Sequence, residues 1–188
     1  MANDFEQAAE VEELRRALIA TQRQLLKHKA RTEELTAATL EGAKQAMLAL
    51  GPIPTVKAPQ KPAGRVSRAS EVALWHLTDW QGAKLTASYN SQVMRDRALR
   101  FCDKAAKITE IQRADHPVRD CVIMFGGDMV EGLFNFPGQA FEIDATLFQQ
   151  YVTVSRLLVD VVLRAASIYN KVTVIAEWGN HGRIGSKR

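Results

Sequence analysis

Cysteine is scarce in this chain of 188 residues, and long apolar runs are missing. Cys102 and Cys121 each lie in an apolar context, which predicts reduced core thiols rather than a disulfide framework. The chain has no stretch of about 18 uncharged apolar residues, the length that a membrane-spanning helix needs. Its acidic N-terminus also lacks the apolar core of a signal peptide. These absences predict a cytoplasmic protein without a membrane partner.

Proline is almost confined to one short region. Four of the six prolines lie between Gly51 and Pro62, a density that favours an extended spacer and excludes helix. Residues 51–70 also carry four Lys or Arg and no Asp or Glu, so the net charge of +4 lies mainly there. We predict a basic, Pro-rich linker over residues 51–70. It either touches nucleic-acid phosphates or is only a solvated tether.

Residues 1–50 are rich in good helix formers and contain no proline. A heptad phase beginning at Val11 predicts one helix face, but four of its nine positions are Thr or His. This half-apolar face predicts a weak coiled coil, that is, a helical segment for oligomerisation or for docking to a partner. The face consists of Val11, Leu14, Leu18, Thr21, Leu25, His28, Thr32, Leu35 and Thr39.

Beyond residue 70, apolar runs alternate with longer amphipathic stretches, a pattern typical of an α/β fold with parallel strands. Ser91 and Asp144 are plausible N-caps of the two helices in this region. The predicted strands are Ala73–Thr78, Cys121–Phe125 and Val172–Ala176, and the predicted helices are Ser91–Arg113 and 145–169.

Each predicted strand is followed by polar residues that suit a reactive site. They are Asp79, Asp128 and the pair Asn180–His181. Ligands bind at the carboxyl ends of strands in open α/β sheets, and carboxylate or amide oxygens suit divalent cations. Asp128 has two oxygens and can bridge two cations, and His181 can protonate a leaving oxygen. Each motif alone has a structural alternative, a turn or a loop cap, but three at successive strand ends favour a site.

The three motifs, taken in order, resemble the first three motifs of the calcineurin-like metallophosphoesterases. That family's pattern is Asp-x-His, then Gly-Asp, then Gly-Asn-His. The corresponding stretches here are Thr78–Gln81, Gly127–Glu131 and Gly179–Gly182. The residues from Val130 to Asp144 narrow the resemblance to the SbcD-related, DNA-directed nuclease branch found in phages and prophages. It covers roughly residues 72–185.

The resemblance implies a fold, a reaction and a set of roles. The fold is the N-terminal part of a metallophosphoesterase-type β-sandwich with flanking helices, preceded here by the long helix. The reaction is metal-dependent phosphodiester hydrolysis, with DNA as the expected substrate of an exo- or endonuclease. Two divalent ions are implied, Mn²⁺ foremost, with Mg²⁺, Fe²⁺ or Zn²⁺ as alternatives. A phage-encoded protein would act in the host cytoplasm.

The implied roles transfer residue by residue. Asp79 would bind the first metal, Asp128 would bridge both, and Asn180 would bind the second. Gln81 stands where the family has a histidine ligand, and its amide oxygen is a weaker ligand for Mn, Fe or Zn. His181 would be the catalytic histidine. Arg183 and Lys187, which follow the third motif, are candidates for contacts with DNA phosphates.

The family's further histidines, which lie downstream of the third motif, have no counterpart after His181. We therefore expect the domain at 71–188 to be incomplete at its C-terminus. The favoured explanation is a fragment of a longer enzyme; the alternatives are a remainder supplied by another polypeptide or a domain that has lost catalysis. Two other functions stay open: a phosphatase or small-molecule phosphodiesterase, and a non-catalytic assembly protein.

Several further residues near the motifs have both a structural and a functional interpretation. His76 is predicted to pack in the core. Core packing is also favoured over base stacking for Trp80, Phe134 and Phe136. Glu131 and Asp144 either support the site from behind the ligands or belong to a substrate-binding loop; the alternative is that they are exposed caps.

Overall fold

The computed structural model describes residues 2–57 and 70–183, and within these ranges the chain is an α/β protein with a long N-terminal helix. The predicted alternation of strands and helices is confirmed. The elements are α1 (Ala2–Leu48), β1 (Glu71–Leu77), α2 (Ser91–Arg113), β2 (Val118–Phe125), a short 3₁₀ turn (Gln139–Phe141), α3 (Leu147–Ala166) and β3 (Lys171–Ala176).

The chain divides into two compact units, Met1–Glu41 and Gly42–Arg188. The first unit consists of α1 as far as Glu41, and its side chains from residue 13 onward are almost all exposed. The last turns of α1 belong to the second unit, where Ala43 is buried and Gly42 lies against the ring of Phe148. Residues 51–57, the described part of the predicted linker, have no regular secondary structure, and residues 58–69 lie outside the described residues.

β1, β2 and β3 form one parallel sheet in the order β1-β2-β3. Leu77 at the end of β1 is paired with Phe125 at the end of β2, which is paired with Ala176 at the end of β3. The three strands therefore end level with one another, and the loops that follow them leave the same edge of the sheet. This register places the three predicted motifs side by side.

One face of the sheet is covered by α2 and α3. Alternate residues of β1 and β2, such as Trp75 and Ile123, point to these helices and are buried. The Trp75 ring meets the rings of Phe101 and Tyr169 edge to face, with centroids 5.8 and 5.9 Å apart. The strand order follows the chain order, and parallel crossover connections are right-handed. Both connecting helices therefore lie on this face.

The expected β-sandwich is not what the described residues form. They contain a single sheet of three strands, and its second face carries no other layer. Val72, Leu74 and His76 on β1 and Ile175 on β3 are exposed on that face. The prediction that His76 packs in the core is therefore wrong, because its place in the strand alternation puts it on the uncovered side.

The residues that cap α2 and α3 differ from those predicted, and the two predicted caps contact each other instead. α2 is capped by Asn90, whose Oδ1 accepts from Val93 N at 2.9 Å. α3 begins with a capping box formed by Thr146 and Gln149. Asp144 instead accepts from Ser91 N at 2.7 Å and from Ser91 Oγ at 2.6 Å. The two predicted caps thus bind each other and hold the start of α2 against the loop before α3.

Both cysteines are buried free thiols, as predicted. Burial raises the pKa of Cys102 and of Cys121 to about 11. Within residues 2–57 and 70–183, no helix is both long and apolar enough to cross a bilayer.

Candidate functional site

The loops that follow the three strands meet at the carboxyl edge of the sheet. Main-chain hydrogen bonds join the first loop to the second: Asp79 N donates to Gly127 O at 3.1 Å, and Gln81 N donates to Asp128 O at 2.9 Å. A third bond, from Glu177 N to Phe125 O at 2.9 Å, joins the end of β3 to β2. The structure thus brings together the three motifs, which are about 50 residues apart in the sequence.

Three of the predicted ligands have left-handed backbone conformations. The φ angles of Asp79, Gln81 and Asp128 are 54°, 45° and 50°. A non-glycine residue in this region costs on the order of 1–3 kcal/mol and persists only where the surroundings fix it. Such conformations concentrate at functional sites, and here they occur at three of the four predicted metal ligands.

Gly179 allows the third loop to approach the second. A Cβ atom at this position would overlap Asp128 N and Asp128 Oδ1. The same closeness lets the main chain of His181 reach the aspartate: His181 N donates to Asp128 Oδ1 at 2.7 Å. The Gly-Asn-His turn is therefore hydrogen-bonded to the predicted bridging carboxylate.

The imidazole of His181 is held from behind by Glu131. Nδ1 lies 2.9 Å from the main-chain oxygen of Glu131 and 3.5 Å from its side-chain Oε2. A carbonyl oxygen only accepts hydrogen bonds, so Nδ1 carries the proton of this bond. Nε2 is thereby the nitrogen that remains for exchange of a proton with a bound group.

Glu131 is fully buried, so the prediction of an exposed cap is wrong for this residue. Its Oε1 accepts from Gln139 Nε2 at 3.1 Å, and its main-chain oxygen accepts from the same amide at 2.7 Å. Among the described residues, Glu131 Oε2 is a buried side-chain atom without a hydrogen-bond partner.

Two buried glutamines bind the loop after Asp128, and neither was predicted as a site residue from the sequence. Gln139 Oε1 accepts from Asn135 N at 2.9 Å, and Gln150 Oε1 accepts from Gly132 N at 2.8 Å. Gln150 lies on the buried side of α3, so a lone amide among apolar positions was the available signal. Gln139 lies in a loop, where no pattern distinguishes it.

The side-chain atoms at this edge of the sheet that could coordinate a metal ion are mainly oxygens. Thr78 Oγ1 donates to Asp79 Oδ2 at 2.5 Å, and Lys84 Nζ donates to Gln81 Oε1 at 3.0 Å. One oxygen of each carboxylate, Asp79 Oδ1 and Asp128 Oδ2, has no hydrogen-bond donor in the described part of the chain. Within that part, no group of three or more His, Cys, Asp or Glu side chains is positioned to hold a metal ion. A hard cation here would need amide oxygens besides the two carboxylates.

The remaining predicted site residues are solvent-exposed or lie beyond the described chain. Asn180 and Arg183 are exposed, and Tyr151 Oη fixes their loop by donating to Gly182 O at 3.1 Å. Lys187, the second predicted phosphate contact, lies outside the described residues.

The aromatic residues near the site divide into two groups. Trp80 is buried against Phe125 with ring centroids 6.2 Å apart, as predicted. Phe134 and Phe136 are exposed, so the prediction that they pack in the core is wrong for this pair. Trp178, which the sequence analysis did not single out, is fully exposed immediately before the Gly-Asn-His turn.

A cleft of about 540 Å³ opens beside the first motif. Asp79 and Gln81 line it together with Lys84, Tyr89 and Arg97. Burial raises the pKa of Tyr89, against the opposing effect of the Arg97 guanidinium, so the phenol stays neutral at physiological pH. The cleft thus offers two cations beside the predicted ligands.

A scan against protein-family models finds no match, and searches of curated proteins and of solved structures find no significant match.

Proposed function

We propose that this chain carries a metal-dependent phosphodiesterase site at the carboxyl edge of its sheet. The observation that supports it most is the contact between the second and third motifs: the main chain of His181 donates to the carboxylate of Asp128 across 53 residues of sequence. A turn and a loop cap arising independently would have no reason to bond to each other. The ordered resemblance to the metallophosphoesterases points to the same residues.

The oxygen atoms of Asp79, Gln81, Asp128 and Asn180 would hold the divalent ions. Such ions polarise a phosphoryl oxygen and lower the pKa of bound water toward neutrality. The carboxylates supply the negative charge, and the two amides supply neutral oxygens. This oxygen-dominated set favours Mn²⁺ or Mg²⁺ over softer metals.

His181 would protonate the leaving oxygen or stabilise the charge on the phosphoryl group. Its Nδ1 is committed to the Glu131 main chain, so Nε2 is the atom in this role. The ring is held by a buried loop rather than by a mobile surface segment, as a positioned acid requires.

DNA is the substrate class that the resemblance favours, with Arg183 and Lys187 as phosphate contacts. A phosphatase or small-molecule phosphodiesterase would use the same residues on a smaller ester. A non-catalytic assembly protein is the second candidate, and α1, with its exposed leucines, is the observation that favours it.

Asp128→Asn tests the site. Asparagine tolerates left-handed backbone and keeps an oxygen for the His181 N–H, so the turn should survive while one negative charge is lost. We expect Mn²⁺-dependent hydrolysis of bis-p-nitrophenyl phosphate to fall by at least about 100-fold, more than the typical loss of a supporting partner.

Asp120→Asn is the matched control, because Asp120 lies near the opposite end of β2. It should leave hydrolysis unchanged. The proposal fails if the wild-type chain neither binds Mn²⁺ in calorimetry nor hydrolyses the ester, or if both variants behave alike. Assays on linear single- and double-stranded DNA then separate a nuclease from a phosphatase.

A further inference from the structure

α2 carries a row of four cations on one side of the helix, here called the basic stripe: Arg97, Arg100, Lys104 and Lys107. Their spacing of three, four and three residues places them within about a quarter of the helix circumference. All four are exposed. At about 1.5 Å per residue the stripe is about 15 Å long.

The other arginines of α2 have structural partners, whereas most of the stripe has none. Arg95 pairs with Asp160 of α3 at 3.5 Å, and Arg113 donates to two main-chain oxygens at 2.8 Å. Within residues 2–57 and 70–183, the last three members of the stripe have no ion-pair partner. Their charge is therefore not used to hold the fold.

Two of the three acidic residues of α2 are bound by other side chains. Asp103 is paired with Arg164 of α3 at 2.7 Å, and Asp96 accepts from Gln92 Nε2 at 2.9 Å. These two acids and Glu110 lie three or four residues from members of the stripe and border it on the side of α3. Within α2, the stripe therefore has acidic residues along one edge only.

The stripe begins at the cleft of the candidate site. Arg97, its first member, lines that cleft with Asp79 and Lys84. The guanidinium of Arg97 lies over the Tyr89 ring, 5.3 Å from its centroid, which fixes its direction. A continuous series of cations therefore extends from the predicted metal ligands along α2.

We propose that the basic stripe binds the phosphodiester backbone of DNA and leads the strand into the cleft. The leading role depends on the proposed function of the site, whereas the binding role does not. A B-DNA strand presents one phosphate per 3.4 Å of axis, so about 15 Å of stripe matches about four phosphates. Four exposed cations are the number needed for those contacts.

A triple substitution, R100Q/K104Q/K107Q, tests the binding role and leaves the cleft residue Arg97 in place. The control is R119Q/R156Q/K171Q, which removes the same charge from exposed positions on other elements. Affinity for a labelled 20-base-pair duplex is measured by fluorescence anisotropy in EDTA between 50 and 200 mM NaCl. Each phosphate contact contributes about 0.9 to the salt slope of log K. We therefore expect the stripe variant to lose at least about 100-fold in affinity near 0.1 M salt and nearly three units of slope.

The control triple should change affinity by no more than a few-fold. Equal losses in both variants, no DNA binding by the wild type, or displacement of DNA by polyglutamate at equal charge concentration would each overturn the proposal. Hydrolysis of bis-p-nitrophenyl phosphate separates the two hypotheses, because the stripe variant should retain it. Loss of DNA binding in a chain that hydrolyses nothing would support the stripe and refute the enzyme.

Discussion

Glu131 is a fully buried glutamate, and one of its carboxylate oxygens has no hydrogen-bond partner among the described residues. A buried carboxylate oxygen without a hydrogen-bond donor is costly, and this one lies 3.5 Å from the His181 ring. The arrangement is stabilising when the ring carries positive charge, as it would after taking or before giving a proton. We infer that Glu131 is a positioning residue, acting through His181 rather than on the substrate.

Glu131→Gln should lower kcat for bis-p-nitrophenyl phosphate by 10- to 100-fold with little change in KM, the usual loss for a group that orients a site histidine. Nitrogen-15 NMR spectra of the imidazoles test the role directly, because a residue that only stabilises the fold would leave the His181 resonances unchanged. The wild type should show His181 with the proton on Nδ1. The variant should keep this tautomer, because the main-chain oxygen of residue 131 still accepts the bond, but its Nδ1 resonance should shift because the carboxylate 3.5 Å away is gone. The signal is assigned through His181→Gln.

Glu142→Gln is the control for this prediction, because Glu142 is an exposed glutamate on the same loop. It should leave both kcat and the imidazole spectra unchanged. An unaltered kcat in Glu131→Gln would remove the carboxylate from the mechanism.

α1 exposes the leucines of its predicted heptad face. Among its predicted heptad residues, Leu14, Leu18, Leu25 and Leu35 are each more than half exposed. The threonines between them donate their hydroxyls to main-chain oxygens four residues earlier, at 2.8 to 2.9 Å for Thr21, Thr32 and Thr39. Because each hydroxyl is satisfied within the helix, the methyl group can face a partner. The heptad face is thus more apolar than its composition indicates.

We predict that α1 pairs with α1 of a second copy in parallel, since register then places leucine against leucine at the heptad positions. Leu18→Lys with Leu25→Lys should convert the wild-type dimer to monomer in sedimentation equilibrium. Leu26→Lys, one position away from the face on the same exposed helix, is the matched control and should leave the dimer intact. A monomeric wild type at about 100 μM, or dissociation by the control, would contradict the prediction.

At the scale of the whole molecule, buried thiols make stability depend on alkaline pH. Burial is the main cause that raises the pKa of Cys102 and of Cys121 to about 11, from 9.0 in the unfolded chain. Between these values the unfolded state releases protons that the folded state keeps, so unfolding is favoured as pH rises. The stabilisation is complete below about pH 9 and is lost as pH rises through about 11.

As pH is raised from 8.5 to 10.5, the free energy of unfolding of the wild type should therefore decrease by on the order of 1 kcal/mol per thiol. The decrease is measured as a lower urea midpoint. Cys102→Ala combined with Cys121→Ala should lower stability at pH 8.5, because apolar volume is lost, but should show a shallower fall with pH. Parallel pH profiles in the two proteins would show that the thiols do not titrate as described.

Local sequence patterns specify the helices and strands and the polar residues that follow the strands. Apolar alternation, helix-forming composition and glycine-aspartate junctions are local properties, so three strands, three helices and the positions of Asp79, Asp128 and His181 followed from them. Which of these residues contact one another depends instead on how the helices and loops pack. Which face of β1 is covered depends on where α2 and α3 fall, and His76 is exposed for that reason. The bond from Ser91 to Asp144, the burial of Glu131 and the glutamines behind it join residues distant in sequence, and no local pattern encodes such contacts.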